Sequence, residues 1–233
     1  MAIDQLIARL RRAMTLDASA FEEIRDDASM TPLALGAAAI AVLLAGFGTF
    51  LWSAVILDDT GDFFVEATIL GSIFLMLLWI AGIAIAYVVL TQLYRETVAP
   101  DALARVMAIG HIPFVLGLLV FIPGIGFSFG LLSVALAFFY TIYGVRAAFP
   151  EIDPLRVLVS VVAGFAVWTM ILPLLTGPDD AFAPGVFIYE VTEDVIEDFT
   201  NFNSSFDDDL DFNGDFEFNF DELFDDIFNN EEN

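Results

Sequence analysis

Residues 106–145 read VMAIGHIPFVLGLLVFIPGIGFSFGLLSVALAFFYTIYGV, a run of 40 residues with no acidic side chain, no arginine and no lysine. A helix needs about 20 apolar residues to cross the hydrocarbon core of a bilayer, so this run is long enough for two crossings. Pro123, Gly124 and Gly126 lie near its middle, and such a cluster is typical of a turn. Backbone groups inside lipid are satisfied only in helices or closed barrels. The run therefore predicts a transmembrane helical hairpin.

Three other uncharged runs accompany it, at residues 33–57, 67–91 and 157–178. Each has the length of a membrane span, whereas buried helices of soluble proteins are usually shorter. We therefore expect an all-α integral membrane protein with a bundle of five transmembrane helices and an acidic, largely disordered C-terminal tail. The chain then divides into an N-terminal segment, a membrane domain and the tail, at residues 1–32, 33–178 and 179–233.

The basic residues indicate the orientation of this bundle. The chain has eight arginines and no lysine. If the spans are counted in order, every arginine falls in a segment on the same side as the N-terminus, whereas the link at residues 58–66 carries four acids and no base. Basic residues near span ends stay in the cytoplasm. We therefore predict a multi-pass protein of the cell membrane with a cytoplasmic N-terminus and an extracytoplasmic C-terminus.

The acidic residues exclude some partners and indicate a source. The chain has 33 acids, and 19 of them lie after residue 176, where there is no base. Nucleic acid is excluded as a partner because its phosphates attract lysine and arginine. Molar salt screens such self-repulsion, so the absence of lysine beside many aspartates suggests a halophilic archaeon. An arginine-biased genome combined with one functional acidic tail is the alternative.

Three stretches of the membrane domain and its N-terminal flank resemble the Yip family of polytopic membrane proteins, named for interaction with Ypt/Rab GTPases. They are Phe21-Glu22-Glu23-Ile24 followed by Pro32, the segment ARVMAIGHIP at residues 104–113, and YGVRAAF at residues 143–149. The resemblance covers residues 13–176. It departs from the family at His111, where an aromatic residue is commoner, and the phenylalanine-rich tail has no counterpart.

The resemblance implies a five-helix bundle that takes part in membrane organisation or trafficking. Prokaryotes lack the Rab system, so fold analogy alone does not name a partner. The sequence shows no nucleophile with its base, no metal-ligand histidine pair and no phosphate-binding loop. We therefore expect no enzymatic activity and no cofactor. The competing hypothesis is a small permease or channel component, which would normally carry charged residues inside its spans.

Two places outside this scheme have a structural and a functional interpretation. Apolar side chains recur at helical spacing near the N-terminus, at Ile3, Leu6, Ile7, Leu10 and Met14. This spacing predicts an amphipathic helix that lies either on the inner leaflet or against the cytoplasmic loops.

His111 is the only histidine of the chain. An ionisable residue inside a span is a functional candidate by default. Because Pro113 follows it, a neutral histidine bound to a main-chain carbonyl is the favoured interpretation.

The tail carries two candidate sites. Phenylalanine, leucine and isoleucine side chains recur at the spacing of one helix face and predict a stripe that binds a protein partner, as acidic segments do when they fold on binding: Phe220, Leu223, Phe224, Ile227 and Phe228. The tail also contains the first half of a calcium-binding loop, formed by Asp209, Asp211, Asn213 and Asp215. Phe220 occupies the position at which such a loop has a bidentate glutamate, so calcium is only a weak candidate ligand. Asn203 begins a glycosylation acceptor sequence, which leaves glycosylation open.

Overall fold

Seven α-helices form the frame of the protein in residues 2–57 and 64–175, which are the residues that the computed structural model describes. These residues contain no strand and belong to one unit. The helices are α1 Ala2–Met14, α2 Ala18–Asp26, α3 Thr31–Trp52, α4 Gly71–Val88, α5 Pro100–Gly110, α6 Gly126–Ala148 and α7 Pro154–Leu175. Short π-helical stretches prolong α3 and flank α4, and a 3₁₀ segment, Ile112–Phe121, follows α5.

The described residues form helices and include four helical stretches that are long and apolar enough to cross a membrane, as the sequence predicts. We call these stretches the first to fourth crossings, in chain order: Ala28–Val55, Ala67–Leu93, Pro100–Phe121 and Ser128–Ala148. The predicted hairpin is present, because the turn between the third and fourth stretches falls at Pro123 and Gly124, and Gly124 has a φ of +81°. The fifth predicted span corresponds to α7, Pro154–Leu175. A fifth crossing stays a prediction.

The third crossing differs from the sequence prediction in its start and in its regularity. Its helix begins at Pro100 and not at residue 106, so that Asp101 and Arg105 lie within the apolar stretch. The α-helix ends at Gly110 and continues as the 3₁₀ segment. The cause is Pro113, which has no N–H to donate and whose ring crowds the carbonyl four residues earlier.

Close contacts between small residues hold the crossing helices together. A Cβ atom on Gly48 of α3 would lie 2.7 Å from the Cα of Leu118 and still closer to Gly117 in the 3₁₀ segment. A Cβ atom on Gly82 of α4 would lie 3.1 Å from the carbonyl oxygen of Gly164 in α7. Inside a bilayer, helices associate through such packing, because lipid removes the hydrophobic driving force between them.

The two N-terminal helices pack on one end of this bundle. Phe21 and Ile24 of α2 are fully buried, and Phe21 packs against α6 where Gly144 leaves room for its ring. Each such side chain stabilises the docked helix by about 1.5–3 kcal/mol if the docking removes it from water. Ala13 of α1 is also buried, while Ile7 is 59% exposed. The end of α1 therefore packs on the protein, and the placement of its earlier turns on the inner leaflet stays a prediction.

Candidate functional site

Arg105 is a buried side chain with four hydrogen-bond partners. It lies in the second turn of α5 and is 3% exposed. Its Nε donates to the carbonyl oxygen of Ile24 at 3.1 Å, one terminal nitrogen donates to Thr31 Oγ1 at 2.8 Å and Asp101 Oδ2 at 2.6 Å, and the other donates to the carbonyl oxygen of Arg25. The last carbonyls of a helix have no partner inside it. Arg105 therefore caps the C-terminus of α2.

Two other arginines also join separate helical elements, Arg25 through a main-chain carbonyl and Arg156 through a carboxylate. Arg25 donates to the carbonyl oxygen of Ala148, the last residue of α6, and its guanidinium lies 5.7 Å from the centre of the Phe149 ring. Arg156, at the start of α7, donates to Glu96 Oε1 at 2.6 Å and lies 5.7 Å from the centre of the Tyr94 ring. Positive charge at a helix C-terminus is favourable because the helix dipole is negative there. These bonds bring the end of α6 to α2 and the start of α7 to the end of the second crossing.

Ion pairs hold α1 against the segment that precedes α3. Arg9 pairs with Asp27 at 2.7 Å and with Glu23 at 3.4 Å, and Arg12 pairs with Asp17 at 2.7 Å and with Glu23 at 2.8 Å. Most of these side chains are partly exposed, so each pair contributes little stability on its own. Their role is to fix the direction of α1.

The pKa values of this segment follow from these bonds. Hydrogen bonds from Ser29 and then from Arg9 lower the pKa of Asp27 to about 2. Hydrogen bonds from Ser19 and then from Arg12 lower the pKa of Asp17. Both carboxylates also cap the helices that follow them, because Asp17 accepts from the Ser19 N–H and Asp27 from the Ser29 N–H. These acids are therefore ionised over the whole physiological range.

We call these five arginines, Arg9, Arg12, Arg25, Arg105 and Arg156, with their acid and carbonyl partners, the arginine layer. The layer joins α1 and α2 to the start of α3, the start of α5 and the end of α6, and it separately joins the start of α7 to Glu96. Helix ends that the sequence assigned to one side of the membrane are therefore in contact in the structure.

His111 occupies the break in the third crossing. Its Nδ1 lies 2.9 Å from the carbonyl oxygen of Met107. The His111 N–H bonds the Ala108 carbonyl instead, as the 3₁₀ pattern requires, which leaves the Met107 carbonyl without its usual helical partner. The side chain replaces that partner. The prediction that His111 bonds a main-chain carbonyl beside Pro113 is confirmed.

The other side of the His111 ring faces aromatic neighbours and a small cavity. The ring centre lies 5.2 Å from that of Trp79, 5.5 Å from that of Phe114 and 5.8 Å from that of Phe165. Among the residues described, the Nε1–H of Trp79 is buried and has no hydrogen-bond partner. We call this cavity the histidine cavity, and its volume is about 20 Å³. Its lining also includes Leu75, Leu78, Gly82, Met107 and Gly164.

Sequence reasoning missed Arg105 and Trp79. Arg105 was assigned to a cytoplasmic link because the uncharged run begins one residue later, yet Asp101 stands one helical turn before it and could have indicated a helix that starts at Pro100. Trp79 carried no local signal, because its meeting with His111 depends on the packing of α4 against the third crossing.

The tail candidates lie outside the described residues. This applies to the partner-binding stripe Phe220, Leu223, Phe224, Ile227 and Phe228, to the calcium candidates Asp209, Asp211, Asn213 and Asp215, and to Asn203. Within residues 2–57 and 64–175, no group of three or more histidine, cysteine, aspartate or glutamate side chains could hold a metal ion.

No protein-family model, no curated protein and no solved structure matches the chain.

Proposed function

We propose that this chain is a non-catalytic, Yip-like integral membrane protein that crosses the cell membrane five times and organises membrane components through protein–protein interaction. The observation that carries this proposal is the arginine layer. It holds α1 and α2 on the bundle through bonds to carbonyls of α2 and α6, so the N-terminal helices form a fixed surface at the membrane face. A preorganised surface binds a partner without the entropic cost of becoming ordered on binding.

The orientation belongs to the same proposal. The arginine layer faces the cytoplasm, because basic residues beside spans are retained there, and the tail with its phenylalanine stripe is extracytoplasmic. Reporter enzymes fused after residue 233 and before residue 2 test this arrangement. A reporter that requires export should be active only at the C-terminus, and a reporter that requires the cytoplasm only at the N-terminus. Cytoplasmic activity at residue 233 would overturn the fifth crossing if the N-terminal reporter is also cytoplasmic, and the orientation if it is not.

The tail supplies the proposed partner-binding element. We expect Phe224→Ser with Phe228→Ser to release a protein that co-purifies with the full chain from native membranes, because an amphipathic helix binds through such apolar anchors. The matched control is Phe206→Ser with Phe212→Ser, which makes the same change in the same acidic tail away from the stripe. If both double variants retain or lose the same proteins, the stripe is not the binding element.

One observation favours the competing hypothesis of a small permease. The third crossing is interrupted at His111, and a cavity with two polar side chains lies at the interruption. Interrupted helices form the substrate sites of many transporters. Uptake assays with proteoliposomes separate the two functions, since a permease requires His111 for flux and an organising protein does not.

A further inference from the structure

Two non-glycine residues of the described segments have a positive φ, Leu16 and Arg95, both at +59°. This left-handed backbone brings the Cβ atom close to a carbonyl oxygen, so helix ends that need it usually have glycine. Arg95 occupies such a position, just after the π-helical stretch Val89–Leu93. The Glu96 N–H donates back to the Leu90 carbonyl oxygen at 2.9 Å, as at other left-handed helix ends. The chain therefore has an arginine where glycine would be less strained.

The described residues offer no partner to the Arg95 side chain. This side chain is exposed, and no hydrogen bond or ion pair joins it to residues 2–57 or 64–175. The nearest acids along the chain are bonded elsewhere, because Glu96 accepts from Arg156 and Asp101 accepts from Arg105, each at 2.6 Å. The positive charge of Arg95 is therefore not compensated by these acids. A residue with a strained backbone is a candidate for function, and here the function belongs to an exposed guanidinium.

The position of Arg95 indicates which group its guanidinium meets. The second crossing, Ala67–Leu93, ends two residues before it, and the Leu93 side chain is 66% exposed. An exposed apolar side chain at the end of a crossing lies against lipid, so a long basic side chain two residues later reaches the headgroup level. Lipid phosphates carry the negative charge at that level. A guanidinium can donate to one phosphate through two N–H groups at once.

We propose that Arg95 binds the phosphate of an anionic phospholipid at the end of the second crossing. The exposed Leu93 side chain favours a lipid over free phosphate, because acyl chains cover it and inorganic phosphate does not. The adjacent carboxylate of Glu96 is neutralised by Arg156, which reduces its repulsion of the phosphate. This site binds lipid, and it rests on the proposed function only in requiring that the second crossing spans a bilayer.

The experiment measures lipid binding to the full chain, purified in a neutral detergent. Native mass spectrometry gives the fraction of protein with one bound lipid as phosphatidylglycerol is added, for the wild type and for Arg95→Gln. The matched control is Arg11→Gln, which removes the same charge from another exposed arginine. Dioleoylglycerol has the acyl chains without the phosphate, and inorganic phosphate has the charge without the chains, so these two additives separate the parts of the ligand.

Arg95→Gln should weaken the binding of phosphatidylglycerol roughly fivefold, the effect of one arginine beside an anionic membrane surface. Arg11→Gln should leave this binding unchanged, and Arg95→Gln should not alter the binding of dioleoylglycerol. Inorganic phosphate should not compete. Equal effects of the two variants would reduce the result to net charge and overturn the site. An equal loss of dioleoylglycerol binding, or competition by inorganic phosphate, would also overturn it.

A second variant tests the inference from the strained backbone. Arg95→Gly removes the side chain and the left-handed strain together, so without phospholipid it should unfold at the temperature of the wild type or above it. Added phosphatidylglycerol should raise the unfolding temperature of the wild type more than that of Arg95→Gly. If the variant unfolds at a lower temperature in lipid-free detergent, the protein itself uses the arginine side chain, and the inference fails.

Extraction of native membranes with alkaline carbonate separates this proposal from the proposed function. A chain that carbonate releases does not cross the bilayer, which would overturn both. A chain that stays in the membrane but shows no effect of Arg95→Gln on lipid binding would overturn the lipid site alone.

Discussion

Arg105 and His111 lie six positions apart on the third crossing, and both are almost fully buried, yet their surroundings differ. Arg105 is bonded to two main-chain carbonyls, a threonine hydroxyl and a carboxylate. His111 makes one hydrogen bond and is otherwise surrounded by aromatic rings and a cavity.

The difference follows from charge. A guanidinium is always protonated, so its burial is tolerated only where several acceptors replace the water that it loses. An imidazole can be neutral, and one carbonyl plus an apolar surrounding is sufficient for it. The arginine layer is therefore held together by polar bonds, whereas the surroundings of His111 are held together by the packing of apolar and aromatic side chains.

The first prediction removes the centre of the arginine layer. Arg105→Met should lower the free energy of unfolding by about 3–5 kcal/mol, as is typical when one partner of a buried charged network is removed. The carbonyls of Ile24 and Arg25 lose their donor, so α2 should also become sensitive to limited proteolysis in detergent. Arg11→Met is the matched control, because Arg11 is exposed. Equal stability and equal cleavage of the two variants would show that Arg105 does not hold α2.

The second prediction tests the packed interior in a single helix. Gly48→Ala should cost about 1–3 kcal/mol, because the new methyl group would meet the backbone of Gly117 and Leu118, which cannot move aside. Gly36→Ala in the same helix meets nothing within 4 Å and should stabilise the protein by about 0.5–1 kcal/mol through helix propensity. Thermal unfolding of both variants in one detergent gives the comparison. A destabilised Gly36→Ala or a neutral Gly48→Ala would contradict it.

The third prediction weighs an exposed member of the arginine layer against its buried centre. Glu96→Gln removes the partner of Arg156, whose side chain is 46% exposed, and should cost about 0.2–1 kcal/mol. The loss should shrink as salt is raised, because ions screen exposed pairs. Unfolding of the wild type and the variant is compared at low and high salt. A salt-independent loss as large as that of Arg105→Met would remove the distinction between the two positions.

The fourth prediction concerns acid. The pKa of Asp27 is about 2 in the folded protein against an ordinary value of 3.8, so its ionised form favours the folded state. That stability is fully present above pH 3.8 and is lost as the pH falls to about 2. The stability difference between the wild type and Asp27→Asn, followed by unfolding in detergent from pH 5 to pH 2, should therefore narrow in this window. A constant difference would show that the bonds of Asp27 do not favour its ionised form.

Much of the architecture was predictable because it depends on short, contiguous segments of the sequence. The length of each apolar run, the turn at Gly124 and the carbonyl bond of His111 beside Pro113 all depend on residues close together in the chain. The start of the third crossing was misjudged because a charged residue was taken as the end of a span. Arg105 is tolerated inside the helix only because acceptors from another part of the chain reach it.

The sequence by itself determined that the chain is helical and apolar enough to cross a membrane, because span length and hydropathy are local properties. It also determined that the arginines flank the same ends of successive spans. Only the tertiary structure decided which groups meet. Ile24 accepts from an arginine 81 residues later, and Trp79 meets His111 across two packed helices. Such contacts depend on which helices pack against each other and at what distance, and no local pattern in the sequence identifies that.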